Sequence, residues 1–155
     1  MVIEEIKNWF ELAIPKPTKD NQRVQTGVHF EEVSEMLETL YIDDSLKSFD
    51  TLKTDIATCA IKELANSLKT HKDIGLEVTD RKELLDSLCD QIVTAVGVGH
   101  MYGFDILGAL KEVSRSNTSK FVDGKPVFNE NGKIAKGAAY TPPNLEPFLG
   151  TDPTE

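Results

Sequence analysis

Residues 83–97 read ELLDSLCDQIVTAVG, a helical pattern that is apolar around most of its circumference and acidic along one narrow line. At about 100° per residue, its acidic and small residues fall within roughly 80 to 100° of one another: Glu83, Asp86, Ser87, Asp90, Thr94 and Gly97. Because the rest is almost entirely apolar, we expect this helix to have neighbours on most sides and its acids to be partly buried. Buried carboxylates without partners shift their pKa values or neutralise, whereas carboxylates around a cation need not. The pattern therefore indicates a metal site.

Apolar residues that recur at three and four residues predict four further helices. These four helices cover residues 2–13, 28–41, 46–72 and about 106–121. The helix that contains residues 83–97, which we call the acidic helix, continues to about residue 102. Thr79 or Asp80 can cap the acidic helix, with Glu83 placed as in a capping box. Gly103 ends that helix and Asp105 caps the next. The sequence predicts an all-α bundle of about five helices.

The segment after Phe121 has a different composition, with DG, NG and KG dipeptides and four prolines, which excludes a long helix. Apolar residues on either side of NENG predict a short β-hairpin at 125–136, followed by an extended tail. Residues 151–155 are expected to be loose. A chain of 155 residues suits one domain, which we place at 1–150.

The charge balance is acidic, with 17 Lys plus Arg against 26 Asp plus Glu and a net charge of -9. This balance disfavours partners such as nucleic acid and anionic membranes, and it suits divalent cations. The sequence has no apolar run of membrane-spanning length and no N-terminal leader pattern, so we expect a cytoplasmic protein. Cys59 and Cys89 lie in apolar helical patterns without CxxC spacing, and we expect buried thiols.

The second predicted helix contains EEVSE at residues 31–35. Glu32 and Glu35 are three residues apart, so their carboxylates share one face and can reach one cation. Glu31 and Glu38 add to the same acidic region. On this motif alone, a solvated acidic face opposite an apolar stripe is the favoured interpretation.

Asp86 and Asp90, at i and i+4 on the acidic helix, form a second pair that Glu83 extends by one turn. One alternative is an internal salt bridge to Arg or Lys. Two acidic pairs on two helices favour a hard cation such as Mg²⁺ or Mn²⁺. Zinc is disfavoured because the three histidines share no ligand spacing.

The fifth predicted helix ends in RSNTSK, where Arg115, Asn117 and Lys120 offer cationic and amide donors suited to phosphate oxygens. Basic residues in a last turn also complement the helix dipole. Composition alone favours the dipole interpretation.

HFEEVSEML at 29–37 resembles the EExxE motif of the MazG-like all-α nucleoside triphosphate pyrophosphohydrolases. This superfamily includes the dimeric dUTPases and phosphoribosyl-ATP pyrophosphohydrolase. The stretches at 86–127 and 136–145 are similar to its phage and bacterial branch. The resemblance extends over 27–145 and implies a protein of a bacterial cell or a phage-infected host.

The resemblance implies that an ExxD motif supplies the second pair of metal ligands. Its aspartate aligns with Asp90, but its glutamate falls on Ser87. Asp86, one residue earlier on nearly the same face, is the natural substitute. Glu83 and Asp86 match the ExxD motif residue for residue, but this pair lies four positions before the alignment that places the motif's aspartate at Asp90.

The implied reaction is hydrolysis of a nucleoside triphosphate, expected to be a deoxynucleotide, to the monophosphate and pyrophosphate. Mg²⁺, or Mn²⁺, would bind substrate phosphates and lower the pKa of the attacking water. The resemblance makes Glu32 and Glu35 the first ligand pair. Either Glu31 or Glu35 would act as the base.

The same resemblance implies that Arg115, Asn117 and Lys120 hold the outer phosphates. The base and sugar would occupy an apolar slot that includes Trp9 and Gln25, although an aromatic residue on an amphipathic helix is also typical of a core. Two other functions stay open: a non-catalytic acidic helical module that binds proteins, and a phosphatase that removes single phosphates. Because two helices are apolar on more sides than one chain covers, we expect a homodimer or homotetramer.

Overall fold

In a computed structural model of the chain, residues 1–40, 51–151, 153 and 154 are described, the side chains of 51–54 excepted. This part is all-helical, with five α-helices and no β-strand. The α-helices are α1 (Val2–Ala13), α2 (Lys19–Glu38), α3 (Thr51–Thr70), α4 (Arg81–Met101) and α5 (Ile106–Thr118). A short 3-10 helix covers Glu146–Phe148. The predicted all-α class is confirmed, while the predicted start of the third helix at 46 lies outside the described residues.

Helix α2 begins at Lys19, so the predicted helix start at residue 28 was wrong. The reason is a capping box: the Thr18 hydroxyl accepts a hydrogen bond from the Asn21 amide at 3.1 Å, and the Asn21 side chain accepts from the Thr18 amide at 3.0 Å. The satisfied first turn offsets the low helix propensity of Asp20 and Asn21, and the strong helix formers Gln22, Arg23 and Gln25 continue the helix.

The predicted boundaries of α4 and α5 are confirmed where caps specify them. Asp80 caps α4 by accepting from the Lys82 and Glu83 amides at 2.9 and 3.1 Å. Asp105 caps α5 by accepting from the Gly108 amide at 2.9 Å. Between the two helices Gly103 has φ +73°, a left-handed conformation that favours glycine and terminates α4.

The chain divides into two compact units, each discontinuous in sequence. Unit 1 consists of Met1–Lys16, Glu77–Val127 and Ile134–Glu155, and unit 2 of Pro17–Leu76 and Phe128–Lys133. In unit 1, both α1 and α4 pack against α5. In unit 2, α2 packs against α3.

The contact between α2 and α3 depends on a glycine. A Cβ atom at Gly27 would lie 2.8 Å from the Ala65 carbonyl oxygen and 3.0 Å from the Leu68 Cβ. The absence of a side chain therefore lets the two helices approach closely. Arg23 is buried in the same region, 4% exposed, and donates to the Leu68 carbonyl.

The predicted hairpin at 125–136 is not supported, because no strand forms in the described part of this segment. An isolated antiparallel bridge joins Val122 to Lys125 around Gly124, whose φ is +72°. Farther along, the Asn129 amide donates to the Lys133 carbonyl at 2.9 Å. Left-handed glycines and a proline at 126 allow tight turns but interrupt a regular ladder.

Helix α4 is more exposed than its sequence predicts. Only Gly99 is buried along its length, against Ile106 at the start of α5. The expectations of neighbours on most sides and of partly buried acids are therefore not met within the described residues, because α4 packs only against α5 inside its unit. The prediction of buried thiols was also wrong, since Cys59 and Cys89 are both exposed. No single helix in the described ranges is both long and apolar enough to cross a bilayer.

Candidate functional site

The four acids of α2 differ in their partners. Glu31 accepts from Lys69 and, at 3.0 Å, from Lys133. Its side chain is 27% exposed and that of Lys69 17%, so this ion pair is partly shielded from water. Partial burial alone would raise the pKa of Glu31, but the hydrogen bonds and charges of the two lysines outweigh burial and hold that pKa below its ordinary value.

Glu38 is also neutralised, by Lys62 of α3 at 2.6 Å. Glu32 and Glu35, by contrast, are exposed and make no ion pair with any residue that the structure describes. These two acids, the pair predicted as metal ligands, thus have no direct ion pair in the described part, although the pKa of Lys62 is raised chiefly by its hydrogen bond to Glu38 and also by the charge of Glu35. Their carboxylates project from successive turns of one helix.

The second predicted pair, Asp86 and Asp90, lies on α4 in unit 1, with Glu83 one turn earlier. All three side chains are exposed, and none forms an ion pair in the described part of the chain. The alternative of an internal salt bridge therefore has no support from the described residues. Across the same ranges, no three His, Cys, Asp or Glu side chains are grouped so that they could hold a metal ion. The four-carboxylate site stays a prediction.

Arg115 uses its guanidinium to tie α5 to the C-terminal tail. It donates to both carboxylate oxygens of Glu112 at 2.7 and 2.8 Å, to the Thr141 hydroxyl at 2.6 Å and to the Pro142 carbonyl at 3.2 Å. Glu112 also accepts from the Asn144 amide at 2.9 Å. These hydrogen bonds, led by those from Arg115, lower the pKa of Glu112 to about 2.

The other two predicted phosphate-binding residues follow Arg115 at the end of α5. The Asn117 carbonyl accepts from the Trp9 indole at 3.1 Å and from the Lys120 amide at 3.1 Å. Trp9 stacks on Phe121, with ring centroids 5.4 Å apart and planes inclined by 21°. The RSNTSK segment is therefore fixed by its backbone against α1.

Two cavities of unit 1 meet at this point. One, of about 490 Å³, is lined by α1 and by the end of α5, including Asn8, Trp9 and Phe121. The other, of about 460 Å³, is lined by Lys111 and Arg115. Glu5 and Thr118 line both cavities, so an aromatic surface and two cationic side chains lie side by side.

No family model, curated protein or solved structure matches this chain. The candidate site therefore depends on the residues themselves and on the motif resemblance.

Sequence reasoning missed Lys111, Asn8 and Phe121 as cavity residues. Lys111 could have been found, because it lies four residues before Arg115 and so shares its face of α5. Asn8 and Phe121 carry no comparable signal, since only the packing of α1 on α5 brings them together. Gln25, which the sequence analysis grouped with Trp9, is an exposed residue of α2 and belongs to unit 2.

Proposed function

We propose that the protein hydrolyses a nucleoside triphosphate, a deoxynucleotide in particular, to the monophosphate and pyrophosphate with the help of Mg²⁺ or Mn²⁺. The observation that carries this proposal is the division of the α2 acids into two sets. Lysines neutralise Glu31 and Glu38, whereas Glu32 and Glu35, at the spacing of the EExxE motif, make no ion pair among the described residues. Two exposed carboxylates three residues apart on one helix offer oxygen ligands of the kind that Mg²⁺ and Mn²⁺ prefer.

The donor set fits a hard cation, because the exposed side chains are carboxylates and the described part groups them with no thiol or imidazole ligand. When bound, the ion supplies charge neutralisation at the phosphate oxygens and lowers the pKa of water. The motif resemblance would make Glu32 and Glu35 its first ligand pair and Asp86 and Asp90 its second. The lysine pairs of Glu31 favour Glu35 over Glu31 as the base, because a carboxylate stabilised by two cations accepts a proton less readily.

The cavities of unit 1 suit the base and phosphates of such a substrate. A planar base suits the cavity beside Trp9, where Asn8 can hydrogen-bond to its edge. Lys111 can contact phosphate oxygens in the neighbouring cavity, which Glu5 also lines, and Lys120 follows in the same segment. Arg115 already makes four hydrogen bonds, so we assign it mainly to positioning the tail that borders this cavity.

A panel of nucleoside triphosphates tests the proposal, with the products identified in the presence of Mg²⁺, of Mn²⁺ and of a chelator. We expect pyrophosphate and the monophosphate, and no turnover with the chelator. Release of orthophosphate alone would instead indicate a phosphatase. No turnover of any nucleotide with either metal would overturn the proposal and leave the non-catalytic acidic module.

Substitutions on α2 sharpen the test. Glu35→Gln should lower turnover by at least about two orders of magnitude, since it removes a metal ligand that also serves as the base. Glu38→Gln is the matched control: the same change one turn later, on an acid that Lys62 neutralises, should leave turnover nearly unchanged. Equal effects of the two changes would contradict the assignment of Glu35. Asp90→Asn on α4 is expected to behave like Glu35→Gln.

A further inference from the structure

Two residues line both cavities of unit 1, Glu5 of α1 and Thr118 of α5. We call these two residues the shared wall. In a nucleotide the sugar joins the base to the phosphates. A ligand with its base beside Trp9 and its phosphates beside Lys111 therefore has its sugar at the shared wall.

The shared wall offers hydrogen-bond acceptors to a ligand and no donor. The carboxylate of Glu5, when ionised, can only accept. The Thr118 hydroxyl donates its proton to the Ser114 carbonyl at 3.0 Å, which leaves only the lone pairs of that hydroxyl for a ligand. A ligand group that fits between the two cavities must therefore be a donor.

The Glu5 carboxylate is open to such a donor. It is exposed and forms no ion pair with any residue that the structure describes, although Lys111 and Arg115 line the same cavity. Arg115 is instead bonded to Glu112 and to the tail. A carboxylate beside a phosphate site repels the ligand's negative charge unless it also accepts a hydrogen bond from that ligand.

The sugar of a 2′-deoxynucleotide has a single hydroxyl that can donate. Its 5′-oxygen is esterified to phosphate and its 2′-carbon has no oxygen, so only the 3′-hydroxyl remains. We propose that Glu5 accepts a hydrogen bond from this 3′-hydroxyl and that the site takes mononucleotides whose 3′-oxygen is free. This assignment rests on the proposed nucleotide function and adds the residue that recognises the sugar. A nucleotide esterified at its 3′-oxygen lacks the proton and is discriminated against.

Quenching of Trp9 fluorescence tests the assignment without hydrolysis, because Trp9 is the only tryptophan of the chain and lines the first cavity. The probes are the common deoxynucleoside 5′-monophosphates together with their 2′,3′-dideoxy and 3′-O-methyl counterparts. Both modifications remove the donor, and the second keeps the oxygen. With the wild-type chain, either one should raise the dissociation constant about tenfold, as expected for the loss of a hydrogen bond to a charged acceptor.

A double-mutant cycle between residue and ligand separates this role from a structural one. In Glu5→Ala the deoxy and dideoxy compounds should bind within about twofold of each other, because the acceptor is gone. Glu11→Ala is the matched control, since it removes the same charge from the same helix. Glu11 pairs with Lys7 and lines neither cavity, so the difference between the two ligands should persist.

Equal dissociation constants of the deoxy and dideoxy compounds for the wild-type chain would overturn the assignment. A difference that survives in Glu5→Ala would do the same, as would an absence of quenching by every monophosphate. These results are distinct from those of the nucleotide panel. Pyrophosphate release without discrimination at the 3′-oxygen contradicts only the role of Glu5, whereas discrimination in binding without pyrophosphate release contradicts only the hydrolysis.

Discussion

Lys120 lies two residues beyond the end of α5, where a structural role and a catalytic one predict different results. If it only complements the helix dipole, Lys120→Ala should cost a few tenths of a kcal/mol to about 1 kcal/mol of stability and leave catalysis unchanged. If it binds substrate phosphates, as we propose, kcat/KM should fall by about one to three orders of magnitude while the melting temperature hardly moves. Steady-state kinetics and thermal unfolding of the same preparation measure both quantities.

Lys120→Arg provides the control for charge. It keeps the positive charge but alters reach and geometry, so we expect partial recovery of kcat/KM. A stable Lys120→Ala protein with unchanged kcat/KM for its best nucleotide would end the phosphate role of this residue.

For single residues, the sequence identifies the acids of EEVSE as candidate metal ligands but does not show which of them already pair with lysines. The partner that distinguishes Glu31 most clearly is Lys133, which is 102 residues away in the chain. Periodicity specifies which face of α2 a carboxylate occupies, and only the folded chain specifies which lysine reaches it. The same limit applies to Arg115, whose partners in the tail lie 26 and 27 residues farther along.

The pairing of α2 with α3 should be sensitive to a single methyl group. Gly27→Ala is expected to destabilise the protein by about 1 to 3 kcal/mol, because the added Cβ overlaps the Ala65 carbonyl and the helices must separate. Gly97→Ala on α4 is the matched control, since a Cβ there has no neighbour within 4 Å. It should stabilise by roughly 0.5 to 1 kcal/mol through helix propensity alone. Urea unfolding at one protein concentration measures both changes, and a neutral Gly27→Ala would show that the contact is loose.

The attachment of the tail to α5 should depend on pH through Glu112. Its pKa is about 2 in the folded chain against an ordinary 4.5, so the carboxylate contributes its full stabilisation above the ordinary value. That contribution is lost as the pH falls from 4.5 towards 2. The difference in melting temperature between wild type and Glu112→Gln should therefore be largest near neutral pH and shrink across this window.

Periodicity and capping residues predicted the helical elements well, because a 3.6-residue repeat and a cap such as Asp80 or Asp105 are local properties. The start of α2 was missed because the capping box at Thr18 and Asn21 precedes a stretch without apolar periodicity. The burial of α4 could not be predicted from its apolar circumference, since that pattern does not reveal whether neighbours come from the same chain or from another. The predicted hairpin does not form in the described part, because turn residues specify turns but not the hydrogen bonds between the two segments that flank a turn.

For the whole molecule, the homodimer or homotetramer expected from the sequence predicts that thermal stability rises with protein concentration. Association stabilises the folded state by mass action, so the melting temperature should increase over a range from about micromolar to hundreds of micromolar. Differential scanning calorimetry at several concentrations measures the effect. A wild-type melting temperature that does not vary with concentration would contradict an association linked to folding.

The discontinuity of unit 2 has a consequence for the order in which the chain is made. Residues leave the ribosome from the N-terminus, so α2 and α3 emerge early and Glu31 can pair with Lys69 at once. The segment that carries Lys133 follows only after α4 and α5 have been synthesised. During that interval Glu31 has one lysine instead of two. A nascent chain stalled before Lys133 is thus expected to contain the paired helices of unit 2 with their ion cluster still incomplete.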